Sequence, residues 1–170
     1  MESAWRRFEV VSAEWRDRFD QEMAEVGFPP VPHGERGFHP DRFVREMTRM
    51  RVPAPLVRPL PWVELLEAAS VPEEQVQRLR VQGSPWTVKG GFSFRVGRMG
   101  VYGLRETKGV TLLGFEPTDQ PALDAWDARN FATFLARNEL LLVHWESGRV
   151  AEGVRALETY FLRGIRRGIF

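Results

Sequence analysis

The segment from Thr87 to Phe115 constrains the fold of this chain more than any other. Phe92, Phe94 and Val96 alternate with Ser93 and Arg95, the period-two pattern of a half-buried strand. Gly97-Arg98-Met99-Gly100 supplies turn residues, and Val101-Tyr102-Gly103-Leu104 returns. Glu106-Thr107-Lys108-Gly109 turns the chain again, and Val110 to Phe115 reads as a third strand. A three-stranded antiparallel meander is the expectation.

Helical patterns flank it. Trp5, Phe8, Val11, Trp15, Phe19, Met23 and Val26 recur at three- and four-residue steps, which predicts an amphipathic helix over 3–26. After Gly27 and a breaker-rich stretch, Phe43, Val44, Met47 and Met50 suggest a short helix over 40–50. Prolines 53, 55, 59 and 61 then favour an extended connector. Short helices are expected at Trp62–Ala69 and Pro72–Val81, the second capped near Ser70 with Glu73 and Glu74 at its positive end. Asp119-Gln120-Pro121 suits the start of a helix through Trp126, Phe134 and Arg137, and a last helix spans Val150 to about Ile165. Leu140 to Trp145 is an apolar run that fits a helix or a buried strand equally. The fold class is therefore α+β: a small antiparallel meander of about three to five strands, flanked by N- and C-terminal helices. Its organisation reads as an N-terminal helical segment (1–51), a proline-rich connector (52–61) and an α+β core with a basic hairpin (62–170).

Composition bounds what such a chain can do. With 170 residues, 43% of them apolar, it can bury roughly 70% of its unfolded surface without a metal or disulfide staple. The absence of cysteine excludes disulfides, thiolate catalysis and zinc–thiolate sites. His33 and His39 stand isolated among prolines and glycines, so neither a metal site nor a cofactor is expected. No apolar run approaches the roughly 20 residues that span a bilayer, and no apolar leader follows Met1. A cytoplasmic protein with no membrane association is the expectation.

Charge is the strongest functional signal. The chain holds 22 Arg and two Lys at a net charge of only +1, so distribution matters more than the sum. An arginine excess is also what a GC-rich coding sequence produces. Between Glu74 and Glu106, however, there is no acidic residue, while Arg78, Arg80, Lys89, Arg95, Arg98 and Arg105 all fall in that interval. Trp86, Phe92, Phe94 and Tyr102 are interleaved among them. Phosphate backbones need cationic partners, and exposed rings stack bases. The expectation is a non-enzymatic DNA- or RNA-binding protein in which the six cations meet phosphates and Trp86 or Tyr102 stacks. From another class, the same arginines and aromatics fit a protein-interaction module, an accessory or inhibitor subunit. The 3–26 helix then offers a face for a protein partner or for self-association.

Two local resemblances sharpen these expectations. Two short helices at 62–69 and 72–81, followed by a hairpin with Arg98 at its tip, resemble the winged helix-turn-helix of excisionase-type regulators. That resemblance implies Gln75, Gln77, Arg78 and Gln82 on a recognition helix, with Arg95 and Arg98 on the wing. Arg137-Asn138 followed by His144 resembles the motif of HEPN-type ribonucleases. It implies a small metal-independent ribonuclease in which Arg137 stabilises charge and His144 assists proton transfer from one helix face.

Overall fold

The structure is a computed structural model and describes residues 8–25, 55–80, 85–116, 123–144 and 149–163. Among these, seven strands and four α-helices occur. In chain order they are β1 (Phe8–Ser12), α1 (Arg16–Glu25), α2 (Trp62–Ala68), β2 (Gln77–Arg80), β3 (Thr87–Val96), β4 (Met99–Glu106), β5 (Gly109–Phe115), α3 (Ala125–Arg137), β6 (Leu140–His144), β7 (Arg149–Ala151) and α4 (Gly153–Arg163). Short 3-10 turns lie at Ala13–Trp15 and Glu73–Gln75. The α+β class is as expected, and the sheet is wider than the meander alone.

The meander forms as its turn residues dictate. Val96 pairs with Met99 across Gly97-Arg98, and Glu106 pairs with Gly109 across Thr107-Lys108, so both hairpins close through two residues. Gly97 (φ +54°) and Gly109 (φ +130°) take the positive φ that such tight reversals demand. The full sheet is antiparallel, in the order β2-β3-β4-β5-β1-β6-β7.

One face carries the main core. Phe92, Phe94 and Val96 of β3, Met99 and Val101 of β4, and Leu113 and Phe115 of β5 pack against α2, α3 and α4. Phe115, Phe131 and Phe161 form its centre, with ring centroids 5.4 to 5.6 Å apart. Truncating one such ring to Ala costs about 3–5 kcal/mol in a core of this kind. The other face buries Val11, Leu141 and Val143 as a second cluster, and Leu79 with Tyr102 as a third.

Several sequence expectations change; one is that Val150 and Ala151, expected to open the last helix, belong to β7 and pair with β6, so α4 begins at Gly153. Residues 8–12, expected within a helix over 3–26, are β1, paired with β6 from Phe8–His144 to Ser12–Leu140. Val10 enters the main core while Val11 enters the cluster on the opposite face. Two adjacent buried β-branched residues suit a central strand covered on both sides better than a one-sided helix. The self-association face expected on that helix is thus interrupted, since among the described residues of that span only Arg16–Glu25 is α-helical. Residues 72–80, the described part of the second expected helix, do not form it either. After the Glu73–Gln75 turn the chain extends as β2, in which Leu79 alone is buried. Ser70 ends α2: it adopts φ +53° and donates its N–H to the Glu67 carbonyl, while Val71 donates to Leu66. This reciprocal closure holds a helix C-terminus shut.

The ambiguous run resolves as β6, with Leu140 and Leu142 in the main core and Leu141 and Val143 on the other face. Helix α3 starts at Ala125 on the side chain of Asp124, which accepts from the Asp127 N–H at 2.8 Å. The expected cap at 119–121, the short helix at 40–50 and the C-terminal tail lie outside the described residues. The described part of the connector bends at Val57 and Arg58, so it is not the uninterrupted extended path its prolines predict, and it is pinned to β5: Leu56 N–H donates to Thr111 O, and Leu60 and Val110 exchange both backbone hydrogen bonds at 2.9 Å. That path delivers Trp62 to the first turn of α2, beside the meander.

Candidate nucleic-acid interface

The strand registers sort the cations of the acid-free segment into two groups. Arg95 pairs across the hairpin with Gly100, and Arg98 sits in the turn beyond it. At the other end of the same strands, Arg80 pairs with Thr87 and Arg105 with Val110. Lys89 and Arg95 are six residues apart on β3, about 20 Å of extended chain. The segment that is one block of positive charge in sequence is two separate patches in space.

The second end is a built feature. An open groove of about 1110 Å³ is lined there by Trp62, Glu73, Arg78, Lys89, Arg105 and Lys108, among others. Gly90 shapes it: the residue adopts φ +72°, and a Cβ there would lie 2.5 Å from the Arg105 carbonyl oxygen. Only glycine lets β3 turn its edge so closely over β4, and this brings Lys89 and Arg105 to one rim. Four cations face two carboxylates, Glu73 and Glu106.

The four cations are not equivalent. Arg105 donates from Nη1 to Glu73 Oε1 at 3.3 Å, and its guanidinium carbon lies 4.6 Å above the centre of the Trp62 ring. The Trp62 indole N–H donates to the same Glu73 oxygen at 3.0 Å, and the ring abuts Phe92 edge-on at 4.9 Å. Among the described residues, no carboxylate lies within ion-pair distance of Arg78, Arg80, Lys89, Arg95 or Lys108. Elsewhere Arg16, Arg58 and Arg129 do meet carboxylates, so part of the arginine excess is ordinary surface pairing.

The two candidate stacking rings separate. Trp86, one residue before β3 and adjacent in sequence to the groove-lining Thr87, is 75% exposed. Tyr102 is 2% exposed, with its ring against Gly114 and its hydroxyl donating to the Phe115 carbonyl at 3.5 Å. Burial first, then the neighbouring Glu116 and Glu9, drive its pKa far above the ordinary tyrosine value. It presents no face to a base, a correction to the sequence expectation. Period-two alternation does set Tyr102 opposite the main core, but that side of β4 is covered too.

Both local resemblances fail on geometry. Gln77 and Arg78 lie on β2, so no recognition helix carries them, and Gln75 ends the 3-10 turn. Gln82 lies outside the described residues. Arg137 is the last residue of α3, Asn138 caps it by donating to the Phe134 carbonyl at 2.9 Å, and Glu139 reverses the chain at φ +54°. His144 closes β6 opposite Arg149, four strand steps or about 13 Å beyond Leu140. Arg137 and His144 therefore share no helix face, which the ribonuclease arrangement requires. No group of three or more metal-ligating side chains occurs among the described residues, and no helix there is long and apolar enough to cross a membrane.

Sequence reasoning missed Trp62, Glu73 and Lys108. Lys108 falls three residues past the acid-free window, and Trp62 precedes it by thirteen. Only the antiparallel fold-back of β4 on β3, with the connector pinned to β5, places them at one groove. No protein family, curated protein or solved structure matches this chain.

Proposed function

We propose that this protein binds single-stranded nucleic acid without cleaving it, laying the phosphodiester backbone in the groove between Arg78, Lys89 and Lys108. The observation that carries this reading is the convergence of those three cations on one open groove, with no carboxylate at ion-pair distance among the described residues. A chain of phosphates supplies the missing counter-charge, and releasing its condensed counterions drives association. Exposed Trp86, adjacent in sequence to the groove-lining Thr87, offers a stacking surface that only unpaired bases can reach. A single strand also fits the loss of the recognition helix: the groove edge is built from strands and turns.

Fluorescence anisotropy of a labelled single-stranded oligonucleotide, titrated at several salt concentrations, tests the proposal. Three phosphate contacts give a log–log salt slope of about −2, a loss of about twentyfold in affinity between 50 and 200 mM salt. Binding that is indifferent to salt, or absent at low salt for both DNA and RNA strands, contradicts it.

A further inference from the structure

Arg105 lines the groove, yet among the described residues it is the one groove cation already paired with a carboxylate. Its charge is largely spent on Glu73, so it adds little to phosphate attraction. Its orientation, by contrast, is unusually well defined. Its guanidinium carbon lies over the Trp62 ring, 4.6 Å from the ring centre, and the Glu73 oxygen that accepts from its Nη1 also accepts from the Trp62 indole N–H. Trp62 is itself buried against Phe92 and cannot swing away. The side chain remains about half exposed, and the exposure is toward the groove.

A planar cation held against a ring and a carboxylate, with nearly half of its side chain open to a groove, is suited to serve as a stacking platform. Guanidinium planes receive unstacked bases as aromatic rings do. Resting on the proposed function, we infer that Arg105 stacks a nucleobase, extending a Trp62–Arg105–base column, while Arg78, Lys89 and Lys108 hold the backbone. Glu73 and Trp62 act as positioning residues that keep the guanidinium plane fixed. The ligand class narrows accordingly, to single strands bearing bases and away from polyphosphate backbones as such.

The test compares a fluorescein-labelled single-stranded oligonucleotide with an abasic phosphodiester strand of equal length and charge. Arg105→Lys keeps the charge and the reach to Glu73 but removes the plane. It is expected to weaken the base-bearing strand about tenfold and to leave the abasic strand within about twofold of wild type. Arg105→Gln, which loses the charge and keeps a planar group, retains more of the base-dependent affinity than Arg105→Lys. Thermal melts of both variants confirm that they are folded. Equal losses on both strands, no loss on either, or a lysine that outperforms glutamine overturns the inference while salt-dependent binding of the wild type leaves the groove reading standing. Failure of the wild type to bind either strand overturns both.

Discussion

The two tyrosines show how far a single side chain departs from its sequence pattern. Tyr102 sits in an aromatic and basic stretch that suggests an exposed ring, yet it is buried with Leu79 beneath the second face of the sheet. Tyr160 is buried in the main core beside Phe161. Burial raises the pKa of both phenols well above the ordinary value near 10. A raised folded-state pKa leaves the stability contribution intact below about pH 10. It is lost as pH climbs above that value, because the unfolded chain ionises first. These are the only tyrosines in the protein. Phenolate absorbance should therefore stay silent until the fold is lost, and its alkaline rise should coincide with the loss of circular dichroism. Phenolate forming near pH 10 while the dichroism remains native contradicts the burial of these rings.

At the level of elements, the parts with a local cause were legible. The meander was written in alternation and in two glycine-bearing turns, and α3 and α4 in helical periodicity. The prolines of the connector predict an extended path, but its described part bends at Val57 and Arg58 to meet β5 at Thr111 and Val110. What escaped was β1 and β2, whose causes are not local. Phe8 to Ser12 fits a helix period as well as a strand period, and pairing with β5 and β6 decides it. Residues 77–80 contribute one buried side chain, Leu79, and become a strand because β3 offers an open edge. Serine favours N-caps, which suggests a helix start near Ser70, but here Ser70 occupies the left-handed residue after α2. That conformation costs an L-residue roughly 1–2 kcal/mol, against about 0.5–1 kcal/mol of extra unfolded-state entropy for glycine. Ser70→Gly should thus stabilise the protein by about 0.5–1 kcal/mol, seen as a higher urea midpoint at unchanged slope. An unchanged or lowered midpoint contradicts the assignment of this turn.

At the scale of the whole molecule, topology decides which charges act together. The sequence shows six cations without an intervening acid, and the fold divides them between opposite ends of β3 and β4. It also recruits Lys108 and Trp62 from outside that window into the groove. This division was illegible in the sequence because it depends on register: Arg95 and Lys89 differ by the length of a strand, which no local pattern reports. The groove end, lined by Arg78, Lys89 and Lys108, with exposed Trp86 next in sequence to its Thr87, carries the functional reading. Arg95 and Arg98 at the hairpin tip serve as its internal control, equal in kind of charge and distant in place.

The most direct measurement compares Arg78→Ala/Lys89→Ala/Lys108→Ala with Arg95→Ala/Arg98→Ala in the single-strand binding assay at low salt. The account predicts that the groove variant loses most of the affinity and flattens the salt slope toward zero, while the tip variant stays within about threefold of wild type at an unchanged slope. A groove variant that binds as well as wild type, or a tip variant that loses as much, contradicts it.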